Sequence, residues 1–212
     1  MNKALLIESH FLPSLEYFCA LLPFDEIILE KWEFFPKQTY RNRCYIRTAQ
    51  GVKILTVPLR ERRGKILTQN IRIEEGKQWR NSHWKTIESA YRKAPYFDFY
   101  ADELKEIMFT GHEYLYDLNY DLLSFCLRHL GLKKNISASV AYQKQVSENV
   151  TDLRSVIIDK IPFGLRSFYH PYPYYQVFGN EFAPGLSSID LLLGEGPGSL
   201  AVLRASAGLA NK

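Results

Sequence analysis

The first thirty residues constrain the fold most, because two short apolar runs enclose a helical segment. The runs in "KALLIES" and "DEIILE" have the length of buried strands, and "PSLEYFCALLP" between them has apolar residues at helical spacing. This order predicts a βαβ unit, in which the two strands are parallel. Ligands of open α/β sheets bind at the carboxyl ends of strands, so we expect a site near Ser9, His10 and the loop to Ser14.

A hairpin and several helices are predicted to follow this unit. "CYIRTAQGVKILTVPL" is typical of a β-hairpin with Gly51 near its turn, and "NIRIEE" has the alternation of a short strand. Ser187 is expected to cap a helix in "LSSIDLLL", with Asp190 at the spacing of a capping box. Apolar residues recur at helical spacing in three segments, 77–95, 97–108 and 115–130.

These patterns together predict one α/β domain. We expect a mixed sheet with a parallel N-terminal βαβ unit, a β-hairpin extension and covering helices, all within residues 1–198. Residues 199–212 have no strong pattern and are assigned to a C-terminal tail.

Composition and charge narrow the class of protein. A net charge of +4 over 212 residues is mild, so nucleic acid is not an expected partner. Three cysteines, an odd number without a CxxC pair, indicate free buried thiols in a reducing compartment and argue against a zinc site: Cys19, Cys44 and Cys126. The first apolar run is too short for a signal peptide, and no apolar run has the length of a membrane helix, so we expect a cytoplasmic protein.

The stretch "PKQTYRNRCYIRT" combines positive charge with a strand-like pattern. If residues 41–48 form a strand, Arg41, Arg43 and Arg47 share one face, where their charges repel unless an anion or acidic side chains lie nearby. Arginine binds phosphate through paired donors, so Lys37, Arg41, Asn42 and Arg43 are candidate ligand-binding residues. A solvated face, or one with structural salt bridges, is the alternative. The charged segment "RERRGK" is predicted to be a loop that extends this basic surface.

Two histidines and three further polar residues complete the candidate site. His10 and His83 are candidate proton-transfer residues, because imidazole titrates near neutral pH; His83 has a core-packing role as its alternative. Asn119 lies at the margin of an apolar helical stripe and either orients a ligand or ties elements together. Tyr175 and Gln176 are candidate pocket residues for sugar hydroxyls. The histidines lack the spacing of metal ligands, so no metal is expected.

Taken in order along the chain, several motifs resemble those of the WbqC-like protein family. They are "HFLPSLEYF", Asp25 before the second strand, Lys37 with the pair Asn42 and Arg43, "LTVP", Trp79 with His83, "YRKAPY", Leu115 with Asn119, "YQVF", "LSSIDLL" and the pair Gly196 and Pro197. Many members have a longer segment before the Y-x-Q element. Here "TDLRSVIIDKIPFG" stands in its place, so the chain resembles a shortened form.

The resemblance implies an association with gene clusters for O-antigen and other surface polysaccharides. From it we expect a transferase of acyl, aminoacyl or sugar-modifying type, with a phosphorylated small molecule or nucleotide sugar as its partner. The alternative is a non-catalytic binding or scaffold protein in envelope assembly. Convergence of His10, Asn42, Arg43 and His83 on one pocket would favour the enzyme, and their separation would favour the scaffold.

Overall fold

The computed structural model describes residues 4–60, 64–76, 78–158 and 161–209. The strands are β1 (Ala4–Glu8), β2 (Glu26–Glu30), β3 (Arg43–Thr48), β4 (Gly51–Thr56), β5 (Asn135–Ala138) and β6 (Val150–Asp152). The helices are α1 (Leu15–Leu21), α2 (Gln78–Tyr91), α3 (Phe97–Phe109), α4 (Leu115–His129), α5 (Ser188–Glu195) and α6 (Ser199–Ser206). The predicted α/β class is confirmed.

A four-stranded parallel sheet in the order β5-β2-β1-β6 forms the centre of the fold. β1 and β2 pair in parallel across α1, which confirms the βαβ unit. β2 and β5 extend the sheet on one side of β1, whereas β6 pairs with its other side. The strand order therefore reverses between β1 and β6, and such a switch point in an α/β sheet is where ligands bind.

The two faces of this sheet are different. Leu5 and Ile7 on β1 are fully buried and belong to the main hydrophobic core with the helices. Successive side chains on a strand point to opposite faces, so Leu6 and Glu8 lie on the other face. That arrangement places a carboxylate of the central strand at the carboxyl edge of the sheet, on the face away from the main core.

The hairpin of β3 and β4 is antiparallel, as predicted, and forms a two-stranded sheet of its own. Its first strand begins at Arg43, so the expectation that Arg41 lies on the same strand face is wrong: Arg41 belongs to the preceding turn. "NIRIEE" forms two isolated bridges, at Arg72 and Ile73, instead of a strand. Within "RERRGK", residues 61–63 lie outside the described residues.

The predicted helices are confirmed, and one capping detail is corrected. Ser187 caps α5 and accepts a hydrogen bond from the Ile189 N–H. The Asp190 carboxylate does not complete a capping box, because it accepts hydrogen bonds from Tyr91 and Tyr174 instead. Residues 199–206 of the segment assigned to a tail form α6, which packs on α1 and buries Leu203. Over the described ranges, no helix combines the length and apolar character needed to cross a membrane.

Candidate functional site

The carboxyl ends of β1 and β6 lie side by side at the switch point, and each leads into a strained loop. Leu12, after β1, has φ of 44°, and Ser155, after β6, has φ of 57°. Residues with a side chain rarely adopt this left-handed conformation, which costs on the order of 1–3 kcal/mol when the surroundings impose it. Strain in both loops marks this edge of the sheet as a candidate site.

The carboxylate of Glu8, the last residue of β1, is the centre of this site and is fully buried. Its Oε2 accepts the Ser155 N–H at 2.9 Å, its Oε1 lies 3.2 Å from His10 Nε2, and Arg41 Nη1 lies 3.4 Å from the same Oε1. Burial alone would raise the pKa of Glu8, but the His10 hydrogen bond, the Arg41 charge and the Ser155 N–H outweigh it and lower this pKa to about 2. Glu8 is therefore ionised at neutral pH.

Arg41 neutralises two buried carboxylates at once. Its Nε and Nη2 donate to the two oxygens of Glu33 at 2.7 and 3.0 Å, and Nη2 also donates to Ser155 Oγ at 3.0 Å. Arg41 is 1% exposed, so its guanidinium lies in the interior of the protein and not on a solvated strand face. Burial raises the pKa of Glu33 even though Arg41 acts against that change.

The protonation state of His10 follows from its neighbour. Ionised Glu8 can only accept hydrogen bonds, so His10 Nε2 must carry the proton and Nδ1 is left with its lone pair. His10 Nδ1 is buried and has no hydrogen-bond partner among the described residues. Burial lowers the pKa of His10 and outweighs the raising effect of Glu8, so the ring is neutral at pH 7. The Tyr40 ring stacks on it, with the ring centroids 5.5 Å apart.

Asn119 on α4 joins the loop after β1 to the turn that carries Arg41. Its Nδ2 donates to the backbone oxygen of Arg41 at 2.8 Å and to Ser9 Oγ at 3.4 Å. Its Oδ1 is buried and has no hydrogen-bond partner within the described ranges. Of the sequence-predicted site residues, His10, Arg41 and Asn119 therefore meet at the switch point.

A second buried carboxylate ends the neighbouring strand. Glu30, at the end of β2, accepts hydrogen bonds from Ser139 Oγ at 2.7 Å and from Arg154 Nη1 at 2.8 Å. Arg154 also pairs with Asp152 at 2.7 Å, which places the end of β6 in the same network. The carboxyl edge of the parallel sheet is thus a row of acidic groups compensated by two arginines.

Among the described residues, two other ligand-binding candidates of this stretch, Asn42 and Arg43, make no hydrogen bond to this cluster. Lys37 and Asn42 line a separate cleft of about 240 Å³ between the turn before β3 and the end of β4. Asn42 Nδ2 donates to the Val57 oxygen at 3.1 Å, which ties that turn to the chain after β4. Arg43 is half-buried, and its Nε has no hydrogen-bond partner among the residues that the structure describes.

His83 lies in an aromatic environment on α2. Its ring meets Trp79 edge to face at 5.2 Å and lies 6.3 Å from Phe11, the residue after His10. Burial, with a smaller contribution from the Lys53 charge, lowers the pKa of His83 to about 4. The ring is neutral at pH 7, and these contacts are those of a helix-packing residue. His83 therefore stays a weaker candidate for proton transfer than His10.

The pKa of His83 leads to a prediction about acid stability. An unfolded histidine binds a proton below about pH 6.5, whereas the folded protein resists protonation of His83 down to about pH 4. The unfolded state binds more protons in this window, so His83 lowers the free energy of unfolding by up to about 3 kcal/mol as the pH falls through it. Urea unfolding of His83→Gln at pH 7, 5.5 and 4 should show a smaller decrease than the wild type. The exposed His170→Gln is the control, and a wild-type-like decrease in His83→Gln would contradict the argument.

Tyr175 and Gln176 lie outside the switch-point cluster. Tyr175 is 52% exposed, and its backbone N–H donates to Glu195. Gln176 Nε2 donates to Asp190 at 3.0 Å, beside the tyrosines that also bond this carboxylate. Burial raises the pKa of Asp190, although all three donors act against that change. These hydrogen bonds hold the segment with Tyr174 and Gln176 against Asp190 of α5.

The cysteines do not have the properties of nucleophiles. Cys19, Cys44 and Cys126 are free and buried. Burial raises the pKa of Cys19 and of Cys126 to about 12, so both are protonated thiols at neutral pH. In the described ranges, no group of three or more His, Cys, Asp or Glu residues is arranged to hold a metal ion.

Sequence reasoning did not include three residues of the cluster, namely Glu8, Glu33 and Ser155. A signal for Glu8 was present, because "ALLIE" and "EIILE" both end in a carboxylate at the edge where parallel strands present ligand-binding groups. Ser155 carried no such signal, since its role depends on its φ angle and on the pairing of β6 with β1.

Comparisons with known proteins agree with the resemblance seen in the sequence. The WbqC-like protein family matches residues 8–160, which include Glu8 at the end of β1, the strands β2 to β6 and the whole switch-point cluster. The chain is also similar to the uncharacterized protein Rv1507c of Mycobacterium tuberculosis (strain ATCC 25618 / H37Rv). The two are 28% identical over 221 residues, covering 92% of this chain and 95% of the relative. No solved structure matches the chain significantly.

Proposed function

Since the chain belongs to the WbqC-like protein family, we propose that it is a transferase for activated sugars or phosphorylated precursors of surface polysaccharide, with His10 as its general base. One observation carries this proposal. At the switch point of a parallel sheet, a buried carboxylate fixes an imidazole so that its second nitrogen keeps a lone pair with no partner in the described part of the chain. The surface-polysaccharide context comes from the family resemblance.

The chemistry of group transfer fits this pair. Transfer to a hydroxyl or amine requires a base that removes the proton as the new bond forms. His10 is neutral at pH 7 and can accept that proton at Nδ1, and ionised Glu8, 3.2 Å from Nε2, stabilises the imidazolium that results. Against the effect of burial, the hydrogen bond from His10 and the positive charge of Arg41 lower the pKa of Glu8 and keep it ionised. Glu8 and Arg41 are thus positioning residues, and His10 is the proposed catalytic residue.

Access to His10 requires movement of the segment above it. His10 is 1% exposed, and half-buried Tyr40 stacks on its ring. Tyr40 follows Gln38, which has a φ of 58° and lies in the exposed stretch of the turn. We place the phosphate of the substrate in the cleft of Lys37 and Asn42 on this same segment, with Arg43 as a second cation. Arg41 is not part of this phosphate site, because its side chain is buried and its Nε and Nη2 donate to Glu33 and Ser155. Its Nη1 faces Glu8.

The test begins with a thermal-shift screen against nucleotide sugars, acyl carriers and amino-acid donors. With a turnover assay for the compounds that bind, His10→Gln should lower kcat by about 10²–10⁴-fold, the usual contribution of a general base. His129→Gln is the matched control, because His129 at the end of α4 bonds Glu103 of α3 and, among the described residues, none of the switch-point cluster. Circular dichroism and melting should show both variants folded. Folded His10→Gln with wild-type kcat would overturn the proposal.

Two observations favour a binding protein as a second candidate. The first is that four candidate residues do not meet in one pocket of the described chain, which is the separation expected of a scaffold: His10, Asn42, Arg43 and His83. The second is an exposed apolar face. Val52 and Ile54 are apolar, about half exposed, and share one face of β4 in the hairpin. A scaffold in envelope assembly would use such a face to bind a protein partner. If this candidate is right, Ile54→Asp abolishes partner binding, whereas His10→Gln leaves the function intact. The enzyme predicts the opposite pattern.

A further inference from the structure

We propose that the sheet face opposite the main core binds an aliphatic group, in a cavity next to the switch point. The cavity has a volume of about 250 Å³. An apolar cavity of roughly 150 Å³ is enough to hold benzene, so this one has room for a chain of about eight carbon atoms.

The floor of the cavity is a row of neighbouring strand residues on one face. Leu6 pairs with Ile28 and Ile28 pairs with Ser137, so their side chains point the same way, and Val150 continues the floor at the edge of β6. Parallel sheets normally have both faces covered by helices. Ile28 lies on the interior strand β2 and is still only half-buried, so the segment after β5 that lies above it does not cover it completely.

The roof is the segment after β5, and contacts at both of its ends hold it above the floor. Ser139 Oγ donates to Glu30 at 2.7 Å, and the Ser139 oxygen accepts Trp32 Nε1 at 2.9 Å. Further along, Arg154 Nη2 donates to the Gln143 oxygen at 2.7 Å, and its guanidinium lies 4.7 Å from the Tyr142 ring. These anchors fix the roof at both ends. Val140 in the roof is 86% exposed, so the cavity opens to solvent and its apolar floor is left for a ligand to cover.

The lining selects the chemical class of that ligand. Apart from backbone, Ser137, Ser139 and Gln143, its side chains are aliphatic, and the lining given by the described residues contains no basic side chain. The charged groups beyond its end are the carboxylates of Glu8 and Glu30. The arginines beside them are already paired with these carboxylates. A free carboxylate would be repelled there, so the cavity fits the aliphatic chain of an uncharged alcohol, ester or amide.

The cavity lies on the same face of β1 as the Glu8 carboxylate of the proposed catalytic cluster. Leu6 and Glu8 are on the same face of β1, two residues apart, which corresponds to about 7 Å along the strand. An acyl chain over Leu6 would bring its attached carbonyl toward the end of β1, where His10 lies. This step rests on the proposed function and identifies the transferred group as acyl; the binding of an aliphatic chain does not depend on it.

The test uses 1-octanol and octanoate as probes of the full chain in ¹⁵N–¹H NMR titrations. We expect 1-octanol to shift amide signals in β2, β5 and residues 139–150, and octanoate to bind at least tenfold more weakly. Ala141→Trp, at an exposed position of the roof, should weaken 1-octanol binding at least tenfold by filling the cavity. Ala49→Trp, in a different cleft, is the matched control and should bind normally.

Each result decides the matter. Shifts located elsewhere, wild-type binding by Ala141→Trp, or equal binding of octanoate would overturn the proposal. His10→Gln should bind 1-octanol as the wild type does. If His10→Gln loses turnover but the wild type does not bind 1-octanol, the general-base proposal stands and the cavity proposal is rejected. If the wild type binds 1-octanol in the cavity but His10→Gln keeps normal turnover, the cavity proposal stands and the general-base proposal is rejected.

Discussion

Replacing Arg41 by methionine is expected to lower the free energy of unfolding by about 3–5 kcal/mol, because removal of one partner leaves buried carboxylates uncompensated. Glu8 is fully buried and Glu33 nearly so, and Arg41 neutralises both. Methionine has a similar length and fills the space, so the loss reports charge and hydrogen bonding more than volume. Urea unfolding at pH 7 measures it.

Arg60→Met is the matched control for this change. Arg60 pairs with Glu75 at the surface, where an ion pair contributes at most about 1 kcal/mol. If Arg41→Met is as stable as Arg60→Met, the buried cluster does not need its cation, and the account of the ionised Glu8 fails with it. A second variant, Arg41→Met with Glu33→Gln, should recover part of the lost stability, because one buried charge is removed with its partner.

Arg41 also shows where sequence reasoning reached its limit. Alternation of polar and apolar residues assigned it to a strand face with Arg43 and Arg47, and the hairpin itself was predicted correctly. Alternation does not reveal where a strand begins, and a start two residues later, at Arg43, moves Arg41 into a turn and its side chain into the interior. The charge run is therefore divided: the Arg41 side chain lies in the interior, whereas Arg43 and Arg47 lie half-buried on β3.

The parts of the fold that were predicted have strong local signals. Two apolar runs around a short helix identified β1 and β2, and repeated apolar stripes identified α2, α3 and α4. β5 and β6 have four and three residues and carry polar side chains such as Asn135 and Asp152. Their strand conformation results from pairing with β2 and β1, so no local pattern predicted them.

The switch point depends on those two short strands. β6 on the far side of β1 makes the strand order reverse there, and the loop after β6 brings Ser155 to Glu8. The sequence predicted that His10 would follow a strand at a ligand-binding edge. It could not show that the partner of His10 would be Glu8, because β1 ends at Glu8 and the direction of the His10 side chain depends on the loop that follows. The loop conformation after Glu8 is what turns the imidazole back toward the carboxylate.

Replacing Glu8 by glutamine is expected to lower the free energy of unfolding at pH 7 by about 3 kcal/mol. The folded protein lowers the pKa of Glu8 from 4.5 to about 2, and each unit corresponds to about 1.4 kcal/mol. A depressed carboxyl pKa stabilises the protein above the unfolded value and loses that contribution as the pH falls through the folded value. The difference between wild type and Glu8→Gln should therefore be full above about pH 4.5 and shrink toward pH 2.

Urea unfolding of both proteins between pH 7 and pH 2.5 measures this difference, with the exposed Glu26→Gln on β2 as the control. The same variant tests the imidazole. A glutamine side chain can either donate to or accept from His10 Nε2, so the ring is no longer confined to one tautomer. Imidazole ¹⁵N shifts should show the proton on Nε2 in the wild type and a mixture in Glu8→Gln. A stability difference that does not change with pH would show that Glu8 is not held ionised, and a single tautomer in both proteins would remove Glu8 as the residue that prepares His10 to accept a proton.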